Sequence, residues 1–280
     1  MAPITPARGD LPRLLYGTAW KEDRTERLTR LALERGFTGI DTANQRKHYY
    51  EAGVGAAVRS ALEAGIITRD RLFLQTKFTS VDGQDHRLPY DGRAPVGEQV
   101  AQSFARSLEH LGTDYLDSYV LHGPSRSRGL GPVDWEAWRA MESLLRQGRV
   151  RHLGVSNVTL EQLRLFADEA EFAPAFVQNR CYARTGWDRD VRAFAAERGM
   201  AYQGFSLLTA NTRELTRPAV AAAAARTGRS PAEIVFRFAL ALGMLPLTGT
   251  SSAEHMQQDL DVTSFELLPA EVAAIERVAS

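Results

Sequence analysis

The sequence predicts a (β/α)8 barrel, organised as one domain over residues 1–280. Three observations predict it. Short β-branched or apolar runs recur eight times, with amphipathic stretches between them. Helical stretches stop at a glycine shortly before the next run, in "ERGF", "EHLGT", "RQGRV", "ERGM" and "ALGM". The length of 280 residues suits one such barrel. The competing arrangement, an open doubly wound sheet, usually has a glycine-rich phosphate-binding turn after its first strand. Here the first run ends in "YGTAW", which carries no such turn.

The strands are expected, in order, at Leu14–Trp20, Gly39–Ala43, Leu72–Phe78 and Leu116–His122, then at Val150–Asn157, Ala175–Cys181, Ala201–Leu207 and Met244–Thr250. After the third strand, Val96, Val100, Phe104, Leu108 and Leu111 keep one helical face. After the fourth, Trp135, Trp138, Met141, Leu144 and Leu145 keep another. The alanine-rich stretch Ala219–Gly228 reads as a helix after the seventh strand. Two connections are long, Thr79 to about Pro95 and Gly123 to about Asp134. Both follow a strand, so a barrel puts them on its C-terminal face, where these folds bind and react.

Composition narrows the function classes. The chain carries 34 basic and 34 acidic residues, which gives no electrostatic reason to expect nucleic acid or an anionic membrane as partner. The one cysteine, Cys181, excludes an internal disulfide and fits a reducing compartment, so a cytoplasmic location is expected. The opening "MAPITPARGDLPRLL" has no apolar core of an export leader. The apolar run "PAEIVFRFALALGMLPLTG" is broken by Arg237 and bounded by prolines, so it is not expected to span a membrane. No metal site is expected.

Polar residues end several strands: Asp41, Lys77, His122, the pair Ser156-Asn157, and Gln178. Singly, each reads as a cap, a solvated charge or a satisfied core residue. In a barrel, successive strand ends ring one mouth. Asp41, Lys77 and His122 would then meet in a partly buried pocket, where Asp41 and Lys77 offset their desolvation by pairing. One reading is a structural ion pair with a hydrogen-bonded histidine beside it. The other is catalytic: a nearby ammonium lowers a phenol's pKa and suits it to proton donation, and "HYY" after Asp41 supplies the phenol.

The matching segments are "GTAW", "GIDTA…YYEAGVGAA", "LFLQTK", "LGTDYLDSYVLHGP", "LRQGRVRHLGVSN", "VQNRCY", "GFSLL" and "LPLTGTSSAEHMQQDL". With these, nearly the whole chain resembles the aldo-keto reductase family. The resemblance implies hydride transfer from NADPH to an aldehyde or ketone, or the reverse from an alcohol, on small molecules. The family's Asp, Tyr, Lys and His tetrad falls on Asp41, a tyrosine of "HYY", Lys77 and His122. There Tyr is the general acid, Lys held by Asp tunes it, and His orients the carbonyl oxygen. The same resemblance places the cofactor. Gly17, Thr18, Ala19 and Asp41 would border it. Ser156, Asn157 and Gln178 would hold the nicotinamide carboxamide, and Phe205 would stack on the ring. Ser206 and Leu207 would flank the pyrophosphate. Gly249, Thr250, Ser251, His255, Gln258 and Asp259 would bind the adenosine end, beside a helix N-terminus near Ser251–Ala253. Trp20 would form the floor of a substrate pocket that Tyr50 and His122 also line. The family's common form is a monomer, and a weak homo-oligomer is the other expectation.

Three departures matter. The loop after Asp41 is longer than the common form. A family subset with "KHY" before an acidic "E-x-x-VG" puts the tyrosine directly after the histidine, so Tyr49 is the expected acid and Tyr50 its rival. His255 stands where NADPH-specific members carry Arg or Lys against the 2′-phosphate, and Asp259 would repel a phosphate it faced. NADPH stays the cofactor that the resemblance implies, and these two residues leave NADH open. The connection after the seventh strand is short, which argues against a long cofactor clamp. Arg126 and Arg128 are read as a solvated loop, with contact to an anionic substrate as the alternative.

Two other functions compete with the reductase: a non-catalytic nicotinamide-nucleotide-binding regulatory module on the same fold, and an unrelated barrel lyase with Lys77 as Schiff base. The second needs a depressed lysine pKa, which Asp41 opposes.

Overall fold

A computed structural model describes residues 11–279. The first ten residues, most of the segment read for an export leader, lie outside the described residues, as does Ser280. All eight expected strands form, in the expected order: β1 (Leu15–Gly17), β2 (Gly39–Asp41), β3 (Phe73–Phe78), β4 (Leu116–Leu121), β5 (Val150–Ser156), β6 (Phe176–Arg180), β7 (Ala201–Phe205) and β8 (Leu245–Thr248). Each pairs in parallel with its neighbours in sequence, and β8 pairs with β1, which closes the barrel.

Around it lie α1 (Thr25–Arg35), α2 (Glu51–Glu63), α3 (Val96–Leu111), α4 (Pro132–Arg146), α5 (Leu160–Glu169), α6 (Arg189–Glu197), α7 (Pro218–Thr227), α8 (Pro231–Ala241), α9 (Ala253–Asp261) and α10 (Pro269–Glu276). The apolar faces read from sequence on α3 and α4 are buried at Val100, Phe104, Trp138 and Met141. The glycine stops hold left-handed backbone, with φ of 105° at Gly36 and 66° at Gly112, a region that costs glycine little. The broken apolar run after Ser230 forms α8, capped by the Ser230 hydroxyl and followed directly by β8. Among the described residues no helix is long and apolar enough to cross a membrane.

Four strands, β1, β2, β7 and β8, stop two or three residues short of their expected C-terminal ends. β1 stops at Gly17, and three residues later Trp20 turns to φ 61°. β2 stops at Asp41, and β7 stops at Phe205, where Ser206 takes φ 56°. These sharp exits stand at the mouth, where the chain leaves the hydrogen-bonded ladder to line a cavity.

The barrel interior is layered. Leu15, Phe73, Phe176, Leu245 and Leu247 form an apolar cluster, with Phe205 packed against it. A polar layer of Asp41, Gln75, Gln178 and Gln203 is buried as well. Register builds this layer, since Asp41 aligns with Gln75, and Gln178 with Gln203. The larger apolar core lies between the strands and the helices.

Candidate active site

The strand ends converge as the sequence suggests. Lys77 is fully buried on β3. Its ammonium donates to both carboxylate oxygens of Asp41, at 2.7 Å each, and to the carbonyl of Thr42 at 2.8 Å. An ammonium has three N–H groups, so all are committed. Burial pulls the Lys77 pKa down, while the Asp41 charge opposes that shift. The sequence reading gave Asp41 the larger say on this lysine; burial outweighs it.

Tyr49 follows Asp41 on the connecting loop, held by its backbone N–H on the Gln45 carbonyl at 3.0 Å. Its ring packs edge-on to the His122 ring at 5.9 Å, and the Lys77 ammonium lies 5.2 Å from its centroid. The expectation that Lys77 lowers this phenol's pKa is not met. Burial raises it, and the Asp41 charge adds to the rise. The reason is geometric, because Asp41 neutralises the lysine. The phenol is therefore protonated throughout the neutral range.

Tyr50 faces elsewhere. It is partly exposed, carries the Arg46 guanidinium over its ring at 4.5 Å, and precedes α2 as its N-cap. It is absent from the cavity lining described below, contrary to the expectation that it borders the substrate pocket.

His122 lies just past β4. Its Nδ1 is 2.6 Å from the Thr79 hydroxyl, a partner the sequence reading missed. Burial, with Lys77 and His48 adding to it, pushes His122 down to about 3, so its imidazole is neutral at pH 7.

These groups open onto one cavity of about 1010 Å³ at the barrel mouth. Asp41, Tyr49 and His122 line it, whereas Lys77 lies behind Asp41. An inaccessible, fully hydrogen-bonded lysine is not a Schiff-base nucleophile, which removes the lyase reading. Ser156, Asn157, Gln178, Phe205, Ser206 and Leu207 line the cavity too. They are tied together: the Ser156 hydroxyl donates to the Gln178 carbonyl at 2.7 Å, and the Asn157 amide donates to the His122 carbonyl at 2.8 Å.

From the end of β1 and the turn after it, Gly17 and Ala19 reach the cavity. Thr18 does not; it is buried and donates its hydroxyl to the Asp41 carbonyl at 3.0 Å. Trp20 lines the cavity but is 65% exposed, so it stands at the rim and not at the expected floor. It stacks there on the His48 ring at 4.0 Å. The far end is lined by Gly249, Thr250, His255, Gln258 and Asp259, while Ser251 is exposed and outside the lining. α9 begins there, with Ser252 as its cap accepting from the His255 N–H. Asp259 points to the Thr248 hydroxyl at 2.6 Å and is nearly fully buried.

The lining also contains residues the sequence reading passed over. Lys21 is buried and donates to the Gly249 carbonyl. Arg180 ends β6, 3.3 Å from the Ser206 hydroxyl. The connection after β7 is short, yet Leu208, Thr212 and Leu215 from it border the cavity. Buried Asn211 holds it, accepting from the Ala183 N–H at 2.7 Å and donating to the carbonyls of Cys181 and Leu207. Arg126 and Arg128 are exposed and outside the lining. Alternation could have found Arg180, since it follows Gln178 by two positions on one strand and so shares its inward face.

Comparison with known proteins gives the family and the fold. The family described as the Aldo/keto reductase family matches residues 14–280. An aldo-keto reductase of Mycolicibacterium vanbaalenii is 33% identical over 246 residues, 88% of this chain and 80% of that protein. One of Mycobacterium avium is 32% identical over 268 residues, 95% of this chain and 85% of that protein. Among solved structures, an aldo/keto reductase from Brucella melitensis superposes with a TM-score of 0.81 at 27% identity, over 96% of this chain and 94% of that one.

Proposed function

Because the chain belongs to the aldo/keto reductase family, and is thereby an oxidoreductase, we propose that it reduces a small aldehyde or ketone with a nicotinamide dinucleotide, or oxidises the corresponding alcohol. The observation that carries this reading is the meeting of Asp41, Tyr49 and His122 with Ser156, Asn157, Gln178 and Phe205 on one cavity.

The roles proposed are those the family resemblance implies, and the geometry supports them. Tyr49 is the general acid, kept protonated by burial until a carbonyl oxygen takes its proton. The phenolate left behind lies beside the Asp41–Lys77 pair, whose ammonium is 5.2 Å from its ring centre. Asp41 fixes that ammonium in place. His122 is neutral, and we assign its Nδ1, 2.6 Å from the Thr79 hydroxyl, as the acceptor of that hydroxyl, which leaves the proton on the other ring nitrogen to hydrogen-bond the carbonyl oxygen. The reduced dinucleotide, when bound, supplies hydride to the carbonyl carbon.

The cavity suits such a dinucleotide. Two cations, Lys21 and Arg180, line it near Gly249 and Ser206, where a pyrophosphate is proposed to lie. Phe205 offers a face for the nicotinamide, and His255, Gln258 and Asp259 border the adenosine end. NADPH is proposed from the family resemblance. NADH is the competing form, since Lys21, the lining cation beside the far end, is tied to the Gly249 carbonyl. With its one cysteine buried, the chain is proposed to act in the cytoplasm, as a single-domain monomer or weak homo-oligomer.

The test is turnover. The protein is mixed with NADPH or NADH and a panel of aldehydes and ketones, and absorbance of the reduced nicotinamide is followed. Consumption with a carbonyl is expected. Tight dinucleotide binding without turnover of any carbonyl would instead support a regulatory module.

A further inference from the structure

Four side chains from four strands form one hydrogen-bonded ring inside the barrel. Gln75 on β3 and Gln203 on β7 come from strands four apart in a closed set of eight, so they meet across the interior. They form a reciprocal amide pair: Gln75 Nε2 donates to Gln203 Oε1 at 2.8 Å, and Gln203 Nε2 donates to Gln75 Oε1 at 3.0 Å. Gln178 Nε2 also donates to Gln203 Oε1, at 2.8 Å. Asp41 Oδ1 closes the ring, accepting from Gln75 Nε2 at 2.7 Å and from Gln178 Nε2 at 3.0 Å. Gln75 and Gln203 are fully buried and outside the cavity lining, so neither can touch a ligand there.

The polarity of this ring has a single consistent solution. An ionised carboxylate only accepts hydrogen bonds. The amides facing Asp41 must therefore be the NH₂ groups of Gln75 and Gln178. Each NH₂ has a second hydrogen, and for both it falls on Gln203. Gln203 must then present its carbonyl to them and its own NH₂ to the Gln75 carbonyl. The charge on Asp41 thus dictates the orientation of three amides.

The consequence reaches the cavity at Gln178. Both N–H groups of its amide are committed inside the barrel, and its carbonyl oxygen takes no part in the ring, while the residue lines the cavity. We propose that Gln75 and Gln203 are positioning residues, which lock Gln178 so that it offers the bound nicotinamide carboxamide a hydrogen-bond acceptor and never a donor. This rests on the dinucleotide reading above. An acceptor at this point engages the carboxamide NH₂ and selects one rotamer of that group. It thereby fixes which face of the ring is turned toward the substrate.

The experiment compares Gln203→Leu with Gln203→Glu. Leucine removes the acceptor that Gln178 and Gln75 share. A glutamic acid buried beside Asp41 stays protonated, since a second negative charge there is unfavourable. Its carbonyl still accepts from both amides and its hydroxyl still donates to Gln75, so it preserves the ring. Dinucleotide dissociation constants are measured by calorimetry, with NADPH and NADH. The face of transfer is read with cofactor deuterated at one or the other C4 position. Gln203→Leu is expected to weaken binding about tenfold, the scale of a misdirected buried hydrogen bond, and to transfer deuterium from both faces. Gln203→Glu is expected to match the wild type in both.

Thermal midpoints separate positioning from folding. Equal loss of binding in both variants, in step with a lowered midpoint, would overturn the positioning role. So would one-faced transfer at wild-type affinity in Gln203→Leu. A wild-type protein that binds neither dinucleotide would overturn the functional reading itself, and this inference with it.

Discussion

The Lys77 ammonium lies 5.2 Å from the centre of the Tyr49 ring, while both oxygens of Asp41 hold it at 2.7 Å. The lysine therefore acts on the phenol through space, from a fixed position. Tyr49 is inside the cavity lining and Tyr50 is outside it. Tyr49→Phe is expected to lower kcat by about 10²–10⁴, the usual contribution of a positioned proton donor, with dinucleotide affinity unchanged. Tyr50→Phe is expected to leave kcat near the wild-type value. Steady-state kinetics on both variants decides between them, and the opposite pattern would make Tyr50 the acid.

The same ion pair is a liability to folding if broken on one side. Asp41→Asn leaves a buried ammonium without its countercharge, at an expected loss of about 3–5 kcal/mol. The double variant Asp41→Asn/Lys77→Met removes both charges and is expected to recover much of that loss while staying inactive. Urea unfolding at neutral pH measures both. A single variant as stable as the double one would show that the ammonium is relieved by some other route, such as losing its proton.

The barrel was legible because its signals are local: apolar runs, helical faces and glycine stops. Asp41, Lys77, His122 and Ser156 were legible because a polar residue closing an apolar run is conspicuous in sequence. Gln75 and Gln203 were not, because a glutamine inside a strand looks the same facing out or in. Only the register of a closed barrel shows that these two meet across it. Trp20 was misplaced for a different reason. Its position depends on one left-handed residue after a three-residue strand, which turns the indole outward to the rim. Tyr49 and Tyr50 are adjacent, and only the entry into α2 separates their directions.

Asp259 gives a prediction about pH. Burial pushes its carboxyl up to about 6 from 3.8, with Glu233 adding and the Thr248 hydroxyl and His255 opposing. The folded protein thus keeps this proton to a higher pH than the unfolded chain does. Between these two values the folded state binds more protons, so stability falls as pH rises through the window, and the full cost persists above it. His122 works in the other direction. Its folded-state value, about 3 against an ordinary 6.5, makes stability fall as pH drops below 6.5. Asp259→Asn keeps an acceptor for Thr248 and removes the charge. Relative to wild type, it is expected to gain about 3 kcal/mol at pH 8, and this difference should vanish toward pH 4. The His122 contribution is common to both proteins and cancels in the comparison. Chemical denaturation of the two proteins across this range measures the difference, and a gain that does not change with pH would mean that Asp259 is hydrated and titrates like an ordinary carboxylate.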